Sequence, residues 1–238
     1  MNIFDYKHFK KLLVENEIVV TDAGIFVYKS GFIGDVYINK EALALLGADV
    51  VNNCLISMTH NALYEGLSFS KDTKTVLLIG PAYGAIAYPP IVAFYLRSLF
   101  PDIKFLTART QLDSNEKHYI PDKLKSLYDM ADEYIIIEDI VNKGTTIKEV
   151  SLLLPKKVHS AMCLVDRGDN DAKELGIENF YPFLSIHMEM FDPRINPSLF
   201  DSGMKINTIL GKGKTWVEQF GQPPYGSNVD FSAFPLLI

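Results

Sequence analysis

The sequence predicts an α/β fold built on an open parallel sheet. Three observations predict it. Val76-Leu77-Leu78-Ile79 and Tyr134-Ile135-Ile136-Ile137 are unbroken apolar runs, the pattern of strands buried on both faces. From Lys74 onward such runs alternate with segments of helical spacing, and that succession implies right-handed strand–helix–strand units. Glycine and proline punctuate the ends of the runs, as at Gly80-Pro81.

Taken in order, residues 4–16 carry Phe4, His8 and Leu12 at helical spacing. Residues 18–20, 24–28 and 35–38 read as short strands broken by glycine. Residues 48–63 read as a helix with Val51, Leu55, Met58 and Ala62 on one face. The parallel rhythm then gives strands at 76–79, 103–108, 134–137, 158–165 and 181–186, with helices at 86–99 and 146–154. Residues 109–120 are polar and are expected to be a mobile loop. Residues 192–238 are rich in proline, glycine and aromatics, and hold the single tryptophan, Trp216. The expected division is an N-terminal region over 1–72, an α/β core over 73–191 and a C-terminal extension over 192–238.

Composition narrows the class. The 238 residues are 48% hydrophobic and 22% charged, with a formal net charge of −6. Mean hydropathy is +0.09 and the isoelectric point about 5.4. A surface of that sign argues against broad nucleic-acid or membrane binding, because those partners want a basic field. Cys54 and Cys163 lie in apolar stretches without zinc-ligand spacing, so reduced, buried thiols in a cytoplasmic protein are expected. The first residues lack the basic-then-apolar order of a signal peptide. Residues 75–96 carry no formal charge and are long enough to span a bilayer. Gly80-Pro81, Gly84 and Pro89-Pro90 interrupt them, so they read as strand, turn and helix.

The segment richest in chemistry runs from Ile135 to Thr146. A buried strand delivers Glu138 and Asp139 to its C-terminal end, and a short loop then leads into a helix. Ligands of open α/β sheets sit at that edge. Backbone amides of Asn142, Lys143, Gly144, Thr145 and Thr146 can cradle an anion. Gly144 allows positive φ, the two threonines add hydroxyl donors, and the two acids can accept from vicinal ribose hydroxyls. A ribose 5-phosphate fits this order of groups. The same residues also fit an ordinary strand–turn–helix junction with a threonine at the helix start. Gly211-Lys212-Gly213-Lys214-Thr215 imitates the end of a P-loop, but Thr208 stands where that motif needs its first glycine, so it reads as a polar turn.

The apolar run, paired acids and Gly-x-Thr loop resemble the 5-phosphoribosyl-1-pyrophosphate (PRPP) motif of the type I phosphoribosyltransferase family. Further segments resemble its orotate branch. They are Phe26-Val27-Tyr28-Lys29-Ser30-Gly31, Gly80-Pro81-Ala82-Tyr83-Gly84, Leu164-Val165-Asp166-Arg167-Gly168, and a hood loop keeping Arg109, Lys117 and His118. The resemblance spans residues 4–191 and implies an open parallel-sheet core with a small hood subdomain. It implies transfer of a phosphoribosyl group from PRPP to orotate. Tyr83 and Gly84 would lie on pyrophosphate, Lys29 and Arg167 on the base, and Arg109, Lys117 and His118 on the leaving group, with Asp139 supporting the ribose. It also implies a homodimer and Mg2+ carried by PRPP and water. Three positions depart from the pattern: Gly84 stands where many members have lysine after the tyrosine, and Thr110 and Asp113 occupy lysine positions of the hood. Transfer to another base, or PRPP binding without catalysis, stays open at this point.

Overall fold

The computed structural model describes residues 6–28, 31–39, 42–43, 46–82, 84–196, 198–225 and 229–233. The chain divides into two units, one of residues 1–10 and 47–187, the other of 11–46 and 188–238. Residues 192–238, read from sequence as an extension, thus group with part of the N-terminal region, and the helix at 48–64 groups with the α/β core.

The first unit is a parallel α/β sheet. Its strands are β5 (Thr75–Gly80), β6 (Lys104–Arg109), β9 (Glu133–Val141), β10 (Ser160–Asp166) and β11 (Asn179–Ser185). They lie in the order β11-β10-β9-β5-β6, all parallel. The α/β class and the parallel sheet expected from the sequence are therefore present. β9 runs four residues past the end of its apolar run, β5, β6 and β10 each end one residue later than expected, and β11 is shifted one to two residues earlier. The reason is pairing: β9 continues to Val141 because β10 pairs with it as far as Asp166.

Helices cover the sheet because the buried stretches of its strands, at 76–79, 134–137 and 161–165, are apolar. On one face Leu77, Ile79, Tyr134, Ile136, Ala161 and Cys163 pack with residues of α4 (Lys125–Asp129), α5 (Thr145–Leu152) and α6 (Ala172–Leu175). Elsewhere α2 (Ala48–Tyr64) packs on β10, β11 and α3 (Tyr88–Leu99), and α3 packs on β5 and β6. Burying one such aliphatic side chain stabilises the fold by roughly 1.5–3 kcal/mol relative to leaving it exposed. Cys54 and Cys163 are free and buried, and burial pushes the Cys54 thiol up to about 12. Residues 75–96 form strand, turn and helix, and no helix among the described residues is long and apolar enough to cross a membrane.

The second unit has its own aromatic core. After α1 (Tyr6–Glu15), two small antiparallel pairs form: β1 (Val19–Val20) with β4 (Tyr37–Ile38), and β2 (Phe26–Val27) with β3 (Ile33–Gly34). Ile25, Val27, Ile33, Phe200, Ile206, Trp216 and Phe231 pack together. The Trp216 indole N–H donates to the Tyr225 hydroxyl at 2.8 Å. The P-loop look-alike is not merely a turn: Gly213, Lys214 and Thr215 open α7 (Gly213–Phe220). Its glycines serve packing, since a Cβ on Gly211 would strike the Val27 carbonyl and one on Gly213 the Asn207 carbonyl.

Candidate functional site at the sheet edge

The strand order reverses direction between β5 and β9. Chain connections leave that point to opposite sides, and the C-terminal ends of the two strands open a crevice there. Register makes the crevice concrete. Pairing of β5 with β9 ends at Ile79–Ile136, whereas β5 stays with β6 through Gly80–Arg109. Glu138 and Asp139 therefore lie on β9 beyond the last residue that β5 pairs.

Two amides on this part of β9 donate to side chains. The Asp139 amide donates to Glu138 Oε2 at 3.3 Å, and the Ile140 amide to Asp139 Oδ1 at 2.6 Å. An ionised carboxylate accepts about four hydrogen bonds, so these two amides do not exhaust what the pair can accept chemically. Glu138 is only 7% exposed, and Asp139 is partly buried. Tyr88, at the start of α3, is close enough to sense them. Its burial and then the Asp139 charge are the largest causes that push its phenol up.

The loop after β5 comes directly onto this carboxylate. A Cβ on Gly84 would collide with Asp139 Oδ2. The glycine is thus required by close approach, and two segments distant in sequence meet at one carboxyl group. Tyr83 and Lys29 lie outside the described residues.

The loop from Asn142 to Gly144 follows. Gly144 has φ +66, a left-handed conformation that side chains resist. It is the N-cap of α5, so amides of the first turn face outward without an intrahelical acceptor. Thr145 is exposed and Thr146 partly so, which leaves their hydroxyls accessible. The strand edge thus presents two acids, and the next turn presents amides and hydroxyls. That combination can hold a polyol through its hydroxyls and an anion through the amides. Arg167 lies in the loop after β10, with its amide donating to the Val141 carbonyl at 2.9 Å.

Residues 109–120 differ from the expected mobile loop. Gln111–Leu112 (β7) and His118–Tyr119 (β8) form a short antiparallel hairpin that packs on α5. Asp113 closes its turn by accepting from the Asn115 and Lys117 amides at 2.8 and 2.9 Å. Those bonds hold the Asp113 carboxyl below its usual range. Thr110 is fully buried, and its hydroxyl bonds His118 Nδ1 at 2.8 Å and accepts from the Ala82 amide at 3.4 Å. Arg109 is exposed at the end of β6 and, with Ala82, Ile86 and Thr110, lines a cavity of about 180 Å3. Lys117 is exposed in the hairpin.

Burial lowers the His118 pKa from the ordinary 6.5, only partly offset by the Glu149 charge. A histidine depressed in this way binds its proton more readily when unfolded. Stability then rises with pH through 6.5 and is lost as pH falls below it. Urea midpoints between about pH 5 and 7.5 should show this slope, flattened in His118→Gln. An unchanged slope in that variant would contradict the lowering of the His118 pKa by burial.

No protein-family profile matches the chain. No curated relative matches it either. Solved structures similar to it include the hypoxanthine phosphoribosyltransferase of Trypanosoma cruzi, at 12% identity, covering 58% of this chain and 78% of that one, with a TM-score of 0.38. The HGPRT-ase of Leishmania tarentolae, in complex with GMP, is similar at 16% identity, with the same coverages and a TM-score of 0.37.

Proposed function

We propose that this chain is a PRPP-dependent phosphoribosyltransferase and that its acceptor is orotate. The observation that carries the reading is the meeting at the β5/β9 crevice of Glu138, Asp139, Gly84 and the Gly144 cradle. In this reading the phosphate of PRPP lies on the amides and hydroxyls of 142–146, and the ribose hydroxyls lie on Glu138 and Asp139. The loop after β5 faces the pyrophosphate. Mg2+ carried with PRPP would be held by Glu138 and Asp139, which can accept from its water ligands, and would supply positive charge for the pyrophosphate.

A ring nitrogen of the base, its proton given up to solvent, then attacks C1 of the ribose, and the C1–O bond to pyrophosphate breaks with its electron pair leaving on oxygen. Positive charge develops on the sugar ring and negative charge on the leaving group. The protein contributes orientation and fixed charge rather than a covalent intermediate. Asp139 favours the cationic ring, while Arg109 and Lys117 supply positive charge for pyrophosphate. His118 acts through Thr110, holding the hairpin to the loop that contains Ala82. Lys29 and Arg167 are the base-binding candidates. A guanidinium suits a planar, anionic ring, which is the ground for orotate over neutral bases.

A second reading, PRPP binding without turnover, is favoured by Thr110 and Asp113. Both stand at lysine positions of the resembled enzymes, and both are engaged in structural hydrogen bonds. Pyrophosphate release with PRPP, Mg2+ and a panel of bases separates the two. The proposal expects release that requires orotate. Release with a different base would overturn the acceptor, and PRPP binding without any release would favour the second reading.

A further inference from the structure

One side chain, Asn170 in the loop after β10, ties that loop to the cradle. Its Nδ2 donates to the Asn142 carbonyl at 2.5 Å and to Asp166 Oδ1 at 2.7 Å. Its own amide donates to Asp166 Oδ2 at 3.1 Å, and the Gly168 amide to Asp166 Oδ1 at 3.1 Å. Asp166 is 2% exposed, at the end of β10, so this carboxylate is an anchor inside the protein. Its backbone carbonyl accepts from the Ile186 amide at 2.7 Å, which ties the anchor to the segment after β11. The two loops are in close contact around Asn170. A Cβ on Gly144 would stand 3.2 Å from Asn170 Oδ1, and one on Gly168 would strike the Asn142 carbonyl.

We propose that Asn170 is a positioning residue that sets the phosphate affinity of the cradle by fixing the Asn142 carbonyl. The link is the geometry of the peptide unit. A trans peptide is planar, with C=O and N–H pointing in opposite directions. Holding the Asn142 carbonyl toward Asn170 therefore aims the Lys143 amide away from the loop after β10. It also fixes the approach to Gly144, whose left-handed backbone starts α5. Removing the amide side chain releases the carbonyl, and the cradle must then order itself when the anion arrives, which weakens binding. The inference rests on the reading of 142–146 as the phosphate site.

The test is calorimetric titration with ribose 5-phosphate of the full chain and of Asn170→Ala and Asn170→Asp. The second variant keeps the size of the side chain but loses the donor and faces the Asp166 carboxylate. Both are expected to bind about tenfold more weakly than the wild type, the scale of one or two well-formed hydrogen bonds. In turnover, KM for PRPP should rise while kcat and KM for the base stay near the wild-type values, a split that general loosening of the fold would not give. Asn170→Ser, which retains a short donor, should recover part of the affinity. Folded variants that bind within twofold of the wild type overturn the role of Asn170 and leave the phosphate site standing. A wild type without affinity for ribose 5-phosphate removes the phosphate site itself. If none of the three variants folds, Asn170 is a structural residue and the proposal fails.

Discussion

Asp139→Asn is expected to lower kcat/KM for PRPP about 10²-fold or more, the scale of one preorganised electrostatic contact to a developing charge. Asp139 sits on β9 past the end of β5 pairing, partly buried and against Gly84. Its charge therefore acts in a partly dehydrated crevice, where a fixed carboxylate stabilises a cationic sugar ring more than it would in water. The amide replacement has nearly the same shape. Its oxygen can still accept from the Ile140 amide, which the carboxylate does at 2.6 Å. Little stability should be lost, so thermal unfolding controls for the fold while steady-state kinetics reads the charge. Near wild-type turnover in this variant would count against the strand edge as the ribose site.

Gly84→Ala should lower kcat/KM about tenfold or more, because small misplacements at a reacting centre are costly. The added methyl would collide with Asp139 Oδ2, so either the loop after β5 retreats or the carboxylate rotates. Both responses separate groups that the proposed mechanism brings onto one substrate. Gly84 is exposed, so the cost to stability should be small, within about 1 kcal/mol. The two substitutions should also be non-additive, since the methyl acts through Asp139. The double variant should be little worse than Asp139→Asn alone. Full additivity would show that Gly84 serves something other than the carboxylate.

The parallel sheet was legible because a strand covered on both faces has to be apolar, as Ile135, Ile136 and Ile137 are. Its reach was less legible. Glu138 and Asp139 belong to β9 through backbone pairing with β10, and no side-chain pattern reports that. The candidate loops could be found because glycine marks the ends of strands and paired acids at the end of an apolar strand need a partner there. That Gly84 touches Asp139 could not, because a contact across 55 positions depends on strand order rather than on spacing. The hairpin at 111–119 was hidden for another reason. Its strands are two residues each, and it is held by Thr110, Asp113 and His118 rather than by an apolar face. Asn170 stands in a polar stretch, Gly168-Asp169-Asn170, and no spacing in it reports the Asn142 carbonyl that its side chain binds. Residues 188–238 joined 11–46 through single bridges such as Ile25–Ile206 and Ile33–Phe191, pairings too short to leave a periodic signal.

The central claim is that the turn from β9 into α5 holds a sugar phosphate above two carboxylates. A crystal of the protein soaked with ribose 5-phosphate tests it most directly. The account predicts phosphate density against the amides of Gly144, Thr145 and Thr146, with ribose hydroxyls within hydrogen-bond reach of Glu138 and Asp139. Ligand bound elsewhere, with that turn empty and both acids engaged only by the protein, would contradict it.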